Sequence, residues 1–174
     1  ALTDHRMVRA AACRALGAIG NSDSIVMTAL SNALSDADPA VRSQAARSLG
    51  GLGMQWPDSV PALKTALLDE SAEVRRRVVA AISQIPNSLA ATLTELVMLL
   101  ADPAVDVRRE VVTVLGKVDH ARDAIVTALA HSLSDPDSET RSRAAASLCC
   151  FGVEARTAIP QLAQAVRDTD SHVR

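Results

Sequence analysis

Apolar positions along this chain fall into short helical stripes that return with one fixed period. Val41, Ala45, Leu49 and Leu52 recur at spacings of three and four, and Val60, Leu63, Ala66 and Leu67 form a second stripe shortly after. Each stripe predicts a helix with one buried face. Nothing alternates with a period of two, so no strand is predicted. The two stripes and their turns make a unit, Asp38 to Asp69, that recurs every 33 residues without insertion. One apolar column runs Leu16, Leu49, Ile82, Leu115 and Leu148; a second runs Leu30, Leu63, Leu96, Leu129 and Leu162; a third runs Leu34, Leu67, Leu100, Leu133 and Val166. Smaller residues fill another, Ala12, Ala45, Val78, Val111 and Ala144. A period held this strictly predicts stacked repeats, each burying its apolar face against its neighbours.

The turns agree. Asp38-Pro39 supplies an N-cap and then a proline at the first helical position, where the missing N–H is not needed. Ser71, Asp137 and Asp170 share the capping column. Gly50-Gly51-Leu52-Gly53 ends the first helix, with Gly53 suited to a left-handed conformation. Gly20 and Gly152 repeat it, while Pro86 and Asp119 depart from the pattern yet still favour a turn. Pro61 and Pro160 stand near the start of the second helix. The expectation is an all-helical chain of about ten helices in antiparallel pairs, one repeat array over residues 1–174. Both ends lie in repeat phase and carry no polar replacement of the apolar columns. The array is therefore expected to be part of a longer one, or to associate end to end.

Composition narrows the chemistry. The chain is 48% hydrophobic but only 1% aromatic, so Ala, Leu and Val must build the core. Phe151 shares a column with Ile19, Leu52, Ile85 and Val118 and is expected to be buried; Trp56, in the loop after Gly53, is either a binding anchor or a cover over the edge between repeats. A net charge of −2 argues against a polyanion-seeking protein. No apolar run is long enough to span a bilayer. Cys13 aligns with Ala46, Val79, Val112 and Ala145, and Cys149 with Gly17, Gly50, Ser83 and Gly116. These are small-residue packing positions, and with Cys150 they predict buried, reduced thiols in a cytoplasmic protein. His5, His120, His131 and His172 lie in different columns, with no HExxH pair, no phosphate-cradling glycine loop and no nucleophile arrangement. No catalytic residue, metal set or cofactor is predicted.

Two polar columns complete the unit. Arg9, Arg42, Arg75, Arg108, Arg141 and Arg174 form one, and Asp36, Asp69, Asp102, Asp135 and Asp168 the other. The run Leu-Ser-Asp-x-Asp-Pro-x-Val-Arg-x-x-Ala-x-x-x-Leu-Gly from Leu34 to Gly50 resembles HEAT repeats. More closely it resembles the short, insertion-free HEAT-like repeats of bacterial proteins, the lyase-associated type. Ankyrin repeats share the period, but their T-P-L-H turn is absent; tetratricopeptide repeats need aromatic positions that are missing here.

The resemblance implies a right-handed α-solenoid of about five two-helix repeats. It implies that matching Asp and Arg residues staple the stack, Asp36 with Arg42, Asp69 with Arg75, Asp102 with Arg108 and Asp135 with Arg141. It also implies that the Val-Arg helices line a concave face. Charge concentrates on those helices, and Arg47, Arg76, Arg77, Arg109, Arg143, Glu73 and Glu110 are the candidate binding residues. The outer helices carry less, chiefly Lys64, Glu95 and Arg167. The implied function is a non-catalytic scaffold presenting this face to another protein or peptide. One alternative is a regulatory or substrate-holding module of an enzyme, as in HEAT-like lyases and hydroxylases, although the repeated His-Glu dipeptides of the hydroxylases are absent. Another is a weak phosphate or nucleic-acid binder at Arg75-Arg76-Arg77 and Arg108-Arg109. Glu73, Asp106 and Glu110 interleave with those arginines, and no aromatic side chain is available to stack on bases.

Overall fold

A computed structural model describes residues 2–20, 23–52, 59–85, 87–119 and 122–174. Among them are ten α-helices and no strand. The chain packs as two compact units, Ala1–Leu93 and Thr94–Arg174. The first contains α1 (Leu2–Ile19), α2 (Ser24–Ala33), α3 (Pro39–Leu52), α4 (Val60–Ala66) and α5 (Ala72–Ile82). The boundary falls inside α6 (Ser88–Met98). The second contains α7 (Val105–Leu115), α8 (Arg122–Ser132), α9 (Ser138–Cys149) and α10 (Ile159–Ala165), with 3-10 helices at Leu99–Ala101 and Gly152–Ala158.

In the first unit α3 packs between α1 and α5, while α2 packs on α3 and α4 on α5. In the second α7 packs on α9, and α8 packs against both. The Val-Arg helices therefore stack on one another inside each unit, and each Leu-rich helix covers its neighbours. Leu30, Leu49, Leu63, Leu67 and Ile82 are fully buried in the first unit, as are Leu115, Leu129 and Leu148 in the second. Phe151 is buried in the second core, where the Arg122 guanidinium lies 4.9 Å from its ring centroid.

A seam of small residues sets how closely the stacked helices approach. A Cβ on Gly17 would stand 2.6 Å from Ser48 Oγ, one on Gly50 2.7 Å from Ala81 Cα, and one on Gly116 2.6 Å from Ser147 Oγ. The serines in this seam also bond across it: Ser48 Oγ donates to Cys13 O at 2.9 Å and Ser147 Oγ to Val112 O at 3.0 Å. Cys13 is buried as expected, but Cys149 and Cys150 are exposed. In the column of Cys149 only Gly50 is buried, while Gly17, Ser83 and Gly116 are half-buried, so small size at this position does not by itself imply burial.

Turn chemistry follows the residues with one exception. Gly20 and Gly152 adopt positive φ, 67° and 53°, and Asn87 takes 61° in the turn beside Pro86. Asp38 and Asp137 cap their helices through Ala40 N and Thr140 N at 2.9 and 2.8 Å. Ser71, the N-cap of α5, gives no side-chain capping bond. Pro61 and Pro160 both sit in the first turn of their helices, α4 and α10. Gly53, Trp56, Pro86 and His120 lie outside the described residues. No described helix is long and apolar enough to cross a membrane.

Candidate functional site

The arginine and aspartate columns meet, but not as the six-residue spacing implies. Arg42 directs Nε and Nη2 to Asp69, at 2.6 Å to Oδ2 and 2.8 Å to Oδ1, while Nη1 donates to the main-chain carbonyls of Asp36 and Ala37 at 2.9 and 3.2 Å. The carboxylate partner is thus in the next repeat, and the same-repeat aspartate offers only its carbonyl. Arg9 takes Asp36 in the same way, Arg108 takes Asp135 and Arg141 takes Asp168. Arg108 and Arg141 also repeat the carbonyl contacts, to Asp102 and Asp135, and Arg75 makes them to Asp69 and Glu70.

The reason lies in the turn. Each column aspartate accepts the N–H two residues on, at Asp38, Ser71, Ala104, Asp137 and Asp170, within 2.8–2.9 Å. That local bond fixes the carboxylate, which then receives the fork of the preceding repeat's arginine. The Asp36–Arg42 and Asp135–Arg141 pairings implied by the resemblance are therefore carbonyl contacts rather than ion pairs.

The electrostatics follow. The Arg9 fork lowers the pKa of Asp36 against the opposing effect of burial. At Asp69 and Asp135 burial acts upward, and the arginine fork together with the turn N–H outweighs it. The Arg141 fork and the Asp170 N–H hold Asp168 at about 2.

The candidate binding residues separate into committed and uncommitted groups. Arg76 and Arg77 share Glu73, with Arg76 Nη2 at 3.0 Å and Arg77 Nε at 2.8 Å from its carboxylate. Arg109 makes a bidentate pair with Asp137 at 2.6 and 2.8 Å, and Thr140 donates to the same carboxylate. Arg143 pairs with Glu139 at 2.8 Å and reaches Thr113 Oγ1 at 3.3 Å. Glu110 is half-buried on α7. Arg47 differs: it is exposed on α3 and has no hydrogen bond or ion pair among the described residues. On the outer side, Lys64 donates to Ala91 O at 3.1 Å.

Arg47 borders a cleft of about 380 Å³ between α3 and α5, where Ser43, Gln44, Ser71, Glu73 and Arg77 also form the walls. Its origin is legible in two columns. In the second unit Arg109 on α7 reaches Asp137, the N-cap of α9. The corresponding residues at the α3–α5 step are Ser43 and Ser71. Two short hydroxyl side chains thus stand where the α7–α9 step has an arginine and an aspartate, and no ion pair among the described residues fills this part of the cleft. The substitutions at 43 and 71 are visible in the sequence; their juxtaposition is not, because it needs the stacking register.

Stacked helix pairs with an inter-repeat Arg–Asp ladder define a helical-repeat scaffold. A model of the family described as HEAT repeats matches residues 27–116, more than half of the chain, and the protein belongs to that family. No curated protein matches it. Among solved structures, an engineered protein is 22% identical with a TM-score of 0.67, over 97% of this chain and 86% of that one. A designed armadillo repeat protein in complex with the peptide (KR)4 is 18% identical with a TM-score of 0.67, over 94% and 87%. The complex of CpcE and CpcF of phycocyanin lyase from Nostoc sp. PCC7120 contains a chain 24% identical with a TM-score of 0.71, over 97% and 68%. These likenesses establish the α-solenoid class of the fold.

Proposed function

We propose that this HEAT-repeat chain is a non-catalytic scaffold that holds a segment of another protein against the Val-Arg helices of its first unit, centred on the α3–α5 cleft. The observation that carries this reading is Arg47, a charged side chain at the wall of a polar cleft with no hydrogen bond or ion pair among the described residues. Arg76, Arg77, Arg109 and Arg143 are held by carboxylates of their own chain, so they shape the face and contribute less to a partner. A concave, polar site of this volume suits one or two side chains of an extended segment. A designed armadillo repeat protein of similar fold, in complex with the peptide (KR)4, supports a peptide segment as the kind of partner.

Site-specific photo-crosslinking in cells tests the reading. A crosslinker placed at Gln44, in the cleft, should capture one protein reproducibly, and one placed at Arg167, just after α10 in the second unit, should not. Capture from Arg167 alone would move the interaction off this face. No specific capture from either position would contradict a protein-binding role.

A further inference from the structure

Resting on that reading, we infer that the α3–α5 cleft takes the carboxylate of an aspartate or glutamate side chain from an acidic peptide segment of the partner. The repeat itself supplies the template. At the α7–α9 step an arginine from one helix meets an aspartate at the N-cap of the next, with two bonds of 2.6 and 2.8 Å. At the α3–α5 step both members are serine, and the carboxylate is missing from a cleft that still contains guanidinium groups. Arg47 offers its whole donor set, since none of the described residues engages it. Arg77 is joined to Glu73 through Nε, which leaves its terminal nitrogens. Ser43 and Ser71 add hydroxyl donors at the wall, and the Ser71 hydroxyl makes no capping bond.

The charge balance selects the ligand. Two arginines and one glutamate line the cleft, a net positive charge of one. A single carboxylate neutralises that charge and matches the planar fork of Arg47. A phosphate brings about twice the charge and would sit beside the Glu73 carboxylate, which repels it. A basic peptide would leave Arg47 unpaired and add like charge to it.

The test is fluorescence anisotropy of the whole chain with a labelled hexaglutamate peptide, against hexaglutamine and a phosphoserine peptide of equal length. Hexaglutamate should bind in the micromolar to millimolar range and hexaglutamine should not. Arg47→Gln should weaken hexaglutamate binding about tenfold or more. Ser43→Arg with Ser71→Asp rebuilds the internal pair; it should weaken binding similarly without lowering Tm. Arg14→Gln, which removes an exposed arginine outside the cleft, should leave binding within about twofold.

Unchanged binding in Arg47→Gln would overturn the inference, as would equal weakening by Arg14→Gln or no hexaglutamate binding up to about 1 mM. Phosphoserine peptide binding about tenfold tighter would overturn the carboxylate assignment. Should the double variant fail to fold, Arg47→Gln decides alone. A protein captured at Gln44 whose binding ignores Arg47→Gln would leave the scaffold reading standing and sink this one.

Discussion

Arg108 reaches twenty-seven residues ahead to Asp135, with Nε–Oδ2 at 2.7 Å and Nη2–Oδ1 at 2.8 Å, while its Nη1 is held by the carbonyls of Asp102 and Pro103. One side chain thus ties the turn before its own helix to the turn of the next repeat. Both partners are mostly buried, at 13% and 8% side-chain exposure, so the pair is shielded from solvent screening.

That shielding makes the pair measurable. In a double-mutant cycle of Arg108→Ala and Asp135→Ala, the two residues should couple by about 1–3 kcal/mol in urea unfolding. Coupling near zero would mean that the fork is incidental to repeat stacking.

Acid should weaken the ladder. Asp36, Asp69, Asp135 and Asp168 all have folded pKa values below the ordinary carboxylate value, Asp168 at about 2. Between the folded and unfolded values the folded chain binds fewer protons, so this stability is full above the unfolded pKa of about 3.9. It is lost as pH falls through the folded values. Urea midpoints should therefore drop between about pH 4 and pH 2, and Arg141→Ala should flatten part of that dependence by returning Asp168 towards its unfolded value. An identical acid profile in wild type and Arg141→Ala would contradict the assignment.

Gly50 and Gly51, adjacent on α3, should respond in opposite directions. A Cβ at Gly50 would lie 2.7 Å from the Cα of Ala81, a backbone atom on α5, whereas one at Gly51 meets nothing within 4 Å. Gly50→Ala should cost about 1–3 kcal/mol by forcing α3 and α5 apart. Gly51→Ala should gain up to about 1 kcal/mol from helix propensity. Thermal melts showing the same sign for both would refute the close-approach argument.

Much of the fold was legible because packing must repeat. Leu30 and Leu63, or Val41 and Val74, are buried in successive repeats, although Ile19 and Val166 are exposed in columns that are otherwise apolar. The partners of polar groups were less legible. A spacing of six residues puts Arg42 near Asp36 along the chain, but the turn bond to Asp38 N fixes the Asp36 carboxylate to meet Arg9 instead. The candidate face was harder still. Arg47, Arg76 and Arg109 look alike as helical arginines; Glu73 holds Arg76 at i,i+3 within α5, but only the stacking register shows that Asp137 holds Arg109, and no partner holds Arg47 among the described residues. Cys149 was not legible either: its column is small in every repeat, but only Gly50 in it is buried, and Cys149 is exposed.

On α3, Arg42 is held in the stack and Arg47 is the proposed binding residue, and melting Arg42→Ala beside Arg47→Ala tests that division most directly. Arg42 has 8% side-chain exposure and grips Asp69 together with two carbonyls; Arg47 is exposed and has no partner among the described residues. Arg42→Ala should destabilise the protein by about 3–5 kcal/mol, because it leaves a buried carboxylate without its cation. Arg47→Ala should change stability by no more than about 0.5 kcal/mol. Equal losses in the two variants, or a larger loss for Arg47→Ala, would contradict the account.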